Sequence, residues 1–133
     1  MNREMASRGE GVRRVLVVED NAQLTALLAE FLTGHGYEVI QARNGVEAMV
    51  SLTAPENEFP DVVLLDIGLP LESGVSVLSF VRQVMRNDVP VVVLTGRADP
   101  EDEAALRELG VSAYLRKPAR PERVLAAIEQ ALA

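Results

Sequence analysis

Residues 61–70 read DVVLLDIGLP. Four apolar residues, Val62 to Leu65, run straight into Asp66, and the chain then meets Gly68 and Pro70, residue types that turn it. A short Val/Leu run without polar alternation, closed by turn residues, is the pattern of a strand covered on both faces of a parallel sheet. Burying an unpaired carboxylate is costly. Asp66 must therefore be paired, hydrogen-bonded, metal-bound or at an exposed end, and the rest of the chain decides which.

VRRVLVV (12–18) and VPVVVLT (89–95) repeat the pattern, and YEVIQA (37–42) and VSAYLR (111–116) complete a set of five runs. Helix-period segments separate them. After Asn21, Leu24, Leu27, Leu28, Phe31 and Leu32 recur at helical spacing until Gly34 and Gly36 stop them. Asn44 and Glu47 form a capping-box-like pair for a second helix. Ser73 or Gly74 opens a third, with Leu78, Val81, Val84 and Met85 on one stripe. Asp99 before Pro100 opens a fourth, where Glu101 and Asp102 suit the helix dipole and the apolar stripe (Ala105, Leu106, Leu109) is thin. Pro121 starts the last, with Val124, Leu125, Ile128 and Leu132 on its face and Arg120 in place of a usual N-cap.

Five β-α units in succession predict a parallel sheet with helices on both sides, joined by right-handed crossovers. Ligands in such folds bind beyond the carboxyl ends of the strands. At that edge strand 1 ends in Glu19-Asp20, strand 3 in Asp66, strand 4 in Thr95-Gly96 and strand 5 in Lys117-Pro118. The expectation is an exposed, anionic rim. Three carboxylates together repel unless a cation joins them, and hard oxygen donors suit Mg²⁺. Taken one at a time, each residue has a plain alternative. Glu19-Asp20 suits a helix start and Asp66 an Asx turn, Thr95 and Tyr114 suit strands, and Lys117 a wet surface. Five such coincidences, with Glu19-Asp20 as one, favour a joint site.

Composition narrows the function. The 133 residues make one domain, with residues 1–11 a polar, aperiodic tail and the fold over 12–133. A net charge of −7 argues against this domain gripping nucleic acid, which needs a basic face. No cysteine is present, so thiolate metal sites and disulfides are excluded. The single histidine, His35 between Gly34 and Gly36, suits an exposed helix C-terminus rather than a phosphoryl carrier. No apolar run approaches the roughly 18 residues of a membrane span, and no signal peptide opens the chain; a cytoplasmic location is expected.

VLVVEDN (15–21), VVLLDIGLP (62–70), VVVLTG (91–96) and YLRKP (114–118), in order at four strand ends, together resemble the receiver domain of two-component response regulators. The resemblance covers about residues 12–133. It implies a flavodoxin-like (βα)5 three-layer α/β sandwich with parallel strand order 2-1-3-4-5. It implies that Asp66 accepts a phosphoryl group from a sensor histidine kinase, a histidine phosphotransfer protein or a small phosphodonor. By the same resemblance Asp20 and Asp66 hold Mg²⁺, or Mn²⁺ in its place, directly. Glu19 acts through water, and the Gly68 backbone carbonyl is a further ligand. Thr95 and Lys117 hold the phosphoryl group, Thr95 is coupled to a Tyr114 switch, and the Lys117–Pro118 bond is cis. The output surface is helix 4, strand 5 and helix 5, which meets an effector or a second copy.

Such a domain is not an enzyme, beyond supporting its own phosphorylation and slow dephosphorylation. Gly68 leaves nothing two residues after Asp66 to screen water, so Gly68 and Arg97 are expected to tune dephosphorylation. The chain ends at Ala133 after the last helix, so no output domain is expected in it. Three rival functions fit the residues less well. A haloacid-dehalogenase-type phosphatase needs a second Asp where Gly68 stands. A phosphorylation-independent scaffold would not be expected to keep Asp20, Asp66, Thr95 and Lys117 together. A nucleotide-binding domain lacks its glycine-rich loop after strand 1.

Overall fold

The chain alternates strand and helix five times in a computed structural model that describes residues 12–54, 56, 58–69, 71–96 and 99–133. The tail at 1–11, Pro70 and Arg97 lie outside the described residues. The elements are β1 (Arg13–Val18), α1 (Ala22–Gly34), β2 (Tyr37–Ala42), α2 (Gly45–Thr53), β3 (Val62–Leu65), α3 (Gly74–Ser79), β4 (Val91–Thr95), α4 (Pro100–Leu109), β5 (Ala113–Arg116) and α5 (Pro121–Leu132). One five-stranded sheet has the order β2-β1-β3-β4-β5. Every pairing is parallel, with Val18 beside Leu65, Leu65 beside Val93 and Val93 beside Tyr114. This is the expected flavodoxin-like sandwich.

Alternation of side chains along each strand divides the core in two. Leu16, Val18, Val63, Leu65, Val91 and Val93 face one side and pack with Ala48 and Leu52 of α2, Val77 and Leu78 of α3 and Leu106 of α4. Val15, Val17, Val62, Leu64, Val92 and Leu94 face the other, against Leu28 and Leu32 of α1 and Val124 and Ile128 of α5. Both faces of the central strands are thus sealed, which is why their sequence shows no polar alternation.

Helix starts follow their caps. Asn21, Asn44, Ser73 and Asp99 each accept a backbone N–H from the first turn of α1, α2, α3 and α4. The Glu47 carboxylate reaches back to the N–H of Arg43, one residue beyond the Asn44 of an ordinary capping box. Arg120, ahead of α5, makes no side-chain cap bond, and nothing in the structure explains its choice. His35 closes α1 as an exposed residue, its Nδ1 2.9 Å from the Phe31 carbonyl oxygen.

The third helix departs from its expected stripe. After Ser79 the chain continues as a π-helical turn over Phe80–Val84. The wider turn carries an extra residue and rotates the positions after it around the helix axis. Val84, expected on the buried stripe, is consequently 68% exposed.

Candidate functional site

Parallel pairing sets the strand ends side by side, and the residue after each central strand is anchored through its backbone. The Glu19 N–H bonds the Ala42 carbonyl at 2.9 Å, and the Asp66 N–H bonds the Val18 carbonyl at 3.0 Å. Across the sheet the Lys117 N–H bonds the Thr95 carbonyl at 2.8 Å, and Lys117–Pro118 is a cis peptide. Carboxylate oxygens of Glu19, Asp20 and Asp66 come within 4.8 Å of one another. Lys117 Nζ lies 2.9 Å from Glu19 Oε1 and 3.4 Å from Asp66 Oδ2.

This rim is less exposed than the sequence suggested. Asp20 is exposed, but Glu19 retains only 3% of its accessible surface and Asp66 only 6%. One side chain reaches over both, and a glycine packs on the Asp66 main chain. The Lys117 side chain spans from β5 to both carboxylates. Gly74, at the start of α3, packs directly on the Asp66 and Ile67 backbone. The answer for Asp66 is therefore pairing and hydrogen bonding: its Oδ1 accepts the Gly68 N–H at 3.1 Å while Oδ2 faces Lys117.

Electrostatics follow from that burial. Burial pushes the Glu19 carboxyl above its ordinary pKa; the Lys117 hydrogen bond and the Asn21 N–H pull it back only partly, and the Asp66 charge adds to the rise. Burial opposes the charge on Lys117, yet its hydrogen bond to Glu19 and the charges of Asp66 and Glu19 prevail, raising the ammonium above its ordinary value. Lys117 is thus a firm cation among three acidic groups. It is also the single lysine among 13 basic residues, a signal in the sequence that the motif alone obscures.

Thr95 ends β4 with no exposed surface. Gly68 is exposed. Sequence reasoning missed Thr25, a buried residue of α1 whose hydroxyl donates to the Glu19 carbonyl at 3.3 Å and the Asn21 carbonyl at 3.0 Å. It ties the acidic loop to the helix behind it. The only hint was a hydroxyl four residues after the Asn21 cap, where Ser and Thr back-bond along a helix. Beside Lys117 an apolar cleft opens between α1 and the β5–α5 loop, lined by Leu24, Leu27, Leu94, Pro118 and Ala119.

The family model for the response regulator receiver domain matches residues 15–129. The chain belongs to that family. Transcriptional regulatory protein PrrA of Mycobacterium tuberculosis is 46% identical over 105 residues, which are 79% of this chain and 43% of the relative. This receiver domain therefore spans less than half the length of that relative. A CheY-like receiver domain protein from Methanospirillum hungatei JF-1 superposes with a TM-score of 0.84 at 29% identity, covering 92% of this chain and 94% of that one. The Mn(2+)-bound form of response regulator Rcp1 superposes with a TM-score of 0.72 at 30% identity, covering 90% and 89%. Receiver domains are the signalling domains of two-component systems, and the acidic cluster fits their phosphoacceptor role. Among the described residues no helix is long and apolar enough to cross a membrane.

Tyr114, from β5, carries the Arg107 guanidinium 5.7 Å from its ring centre. Its hydroxyl is buried and has no hydrogen-bond partner among the described residues. An unsatisfied buried hydroxyl costs about 1–3 kcal/mol. Tyr114→Phe is accordingly expected to leave stability unchanged or raise it by about 1 kcal/mol, read as an increase in the urea midpoint. A clear drop would mean that the hydroxyl is bonded after all.

Proposed function

We propose that Asp66 is the phosphoacceptor of this receiver domain and that phosphorylation resets the α4–β5–α5 face toward a downstream partner. The observation that carries the reading is the approach of the one lysine to both buried carboxylates, with Asp20 closing the acidic cluster. In the transfer, a carboxylate oxygen of Asp66 attacks phosphorus as the N–P bond of a donor phosphohistidine breaks. The imidazole nitrogen leaves with the electron pair and takes up a proton, and an acyl phosphate remains. Lys117 balances charge on the transferred group, and the Thr95 hydroxyl binds one of its oxygens.

Glu19, Asp20 and Asp66 offer only hard oxygen donors at one place, the set that fits Mg²⁺ or Mn²⁺, with the Gly68 carbonyl as a further ligand. A bound divalent cation would supply positive charge against the phosphoryl oxygens that Lys117 cannot cover alone. Lys117 meanwhile keeps the carboxylates from repelling one another. Lys117→Met should therefore cost about 2 kcal/mol in the presence of a chelator, somewhat below the range for breaking a fully buried pair because the ammonium is partly solvated. Millimolar Mg²⁺ should restore most of the loss in a thermal melt. Unchanged stability in chelator would show that Lys117 does not hold the cluster together.

The donors proposed are a sensor histidine kinase or a histidine phosphotransfer protein. The apolar cleft beside Lys117, with Leu27 half exposed, gives such a protein a face to rest on next to Asp66. The domain turns over no external substrate; Asp66 becomes an acyl phosphate in the transfer. Slow attack of water on phosphorus then breaks the bond to the carboxyl oxygen, releases inorganic phosphate and restores the carboxylate. Gly68 and Arg97 are assigned to that hydrolysis rate, and Tyr114 to the switch with Thr95. Response occurs in the cytoplasm, through an effector or a second copy of the domain, and not through DNA held by this acidic domain itself. The test is incubation with acetyl phosphate and Mg²⁺, then intact-mass measurement. Gain of one phosphoryl group is expected, and a chain that never gains mass would remove the reading.

A further inference from the structure

Arg82 sits inside the π-helical turn that extends α3. Among the described residues its guanidinium donates three hydrogen bonds, all to backbone carbonyls. Nη1 bonds Asn87 at 2.8 Å, just past the π-helical turn, while Nε bonds Leu109 at 3.1 Å and Nη2 bonds Gly110 at 2.8 Å, at the far end of α4. The last carbonyls of a helix lack partners within it, and a cation there opposes the negative end of the dipole. The N–H of Gly110 serves Leu106 and Arg107, so Arg82 completes the closure of α4 from a different helix. At Gly110 φ is +97°, a region that glycine enters freely, and the turn brings its carbonyl toward Arg82.

The other end of α4 is held differently. Its first turn is acidic, with Glu101, Asp102 and Glu103, and among the described residues of the helix only Leu106 is fully buried. Asp99, the cap, stands four residues after Thr95 of the site. A helix gripped at its C-terminus and loosely packed at its N-terminus can swing about the grip. Beside it lies the Tyr114 hydroxyl, without a partner among the described residues, an unsatisfied group at the same seam.

We propose that Arg82 is a positioning residue that pins the C-terminal end of α4 to the π-helical turn of α3, so that α4 responds to an occupied site by moving at its N-terminal end. The coupling rests on the assignment of Asp66 as phosphoacceptor; the pin itself does not.

Amide hydrogen exchange on the whole chain separates the two, with Mg²⁺ and beryllofluoride as the phosphoryl mimic. Without ligand, Arg82→Met is expected to speed exchange in α4 by about tenfold or more, the effect of losing even one charge-assisted bond, while β1 and β3 keep wild-type protection. Arg82→Lys, which keeps the cation and loses the three-way fork, is expected to fall between. With beryllofluoride, wild type should change exchange in α4, and Arg82→Met should still bind but show that change reduced severalfold. Wild-type α4 exchange in Arg82→Met, or an equal loss of protection in β1 and β3, would overturn the pin. Failure of wild type to bind beryllofluoride would instead overturn the Asp66 assignment and the coupling built on it, leaving ligand-free exchange to decide the pin.

Discussion

Asp66→Asn is expected to take up no phosphoryl group from acetyl phosphate, with intact mass staying at that of the unmodified chain where wild type gains one phosphoryl unit. The amide keeps the shape of the carboxylate, and its oxygen still accepts the Gly68 N–H that now holds Oδ1 at 3.1 Å. What it loses is the anionic nucleophile. The fold should survive, because Lys117 keeps Glu19 at 2.9 Å and the mutual repulsion of three carboxylates within 4.8 Å is reduced. Stability in chelator should stay within about 1 kcal/mol of wild type, and the gain from added Mg²⁺ should shrink. Full phosphorylation of Asp66→Asn would move the acceptor elsewhere, and a collapsed fold would show that Asp66 is chiefly a structural ion-pair partner.

Gly74→Ala is expected to damage both the fold and the site. A Cβ at this position would stand 2.5 Å from the Ile67 Cα and 2.6 Å from the Asp66 carbonyl oxygen. Both are backbone atoms, so no side chain can rotate away, and either α3 lifts or the Asp66 segment moves. Overpacking of this kind costs about 1–3 kcal/mol, and backbone on both sides places Gly74→Ala at about 3. Displacing Asp66 also misaligns it with Lys117, and small misplacements near reacting atoms are costly, so the initial rate of phosphoryl uptake should fall by about tenfold or more. Urea denaturation and timed mass measurement give the two numbers. Gly34→Ala is the control, since a Cβ there meets nothing within 4 Å. Equal behaviour of the two variants would mean that the contact over Asp66 yields without cost.

Much of this was legible in the chain because the determinants are local. Val62 to Leu65 could be read as a doubly covered strand since that environment admits no polar residue on either face. Asn21, Asn44 and Asp99 marked helix starts because a cap needs only its own first turn. The candidate site was readable in kind for a related reason: in a parallel α/β sheet the residue after each strand falls at one edge whatever the loops do. Where the reading slipped, the cause lay outside the local window. Val84 left its stripe because a π-helical turn inserted one residue, which helical periodicity cannot register. Glu19 and Asp66 proved buried in part because Lys117, distant in the chain, reaches over both, while Gly74 packs on the Asp66 main chain. Thr25 gave only the spacing of its hydroxyl from Asn21 and Arg82 gave no signal, since their partners are backbone carbonyls that every sequence possesses.

By itself, then, the sequence determined the alternation of strands and helices, the acidic character of the domain and the residue types brought to the carboxyl edge. Those properties depend on hydrophobic period, caps and composition, which act over a few residues. The tertiary structure alone decided how deeply the carboxylates sit, that the single lysine bridges two of them, and that α4 is fastened from α3. Such features are distances between segments far apart in sequence, and only the packed chain brings them within hydrogen-bonding reach.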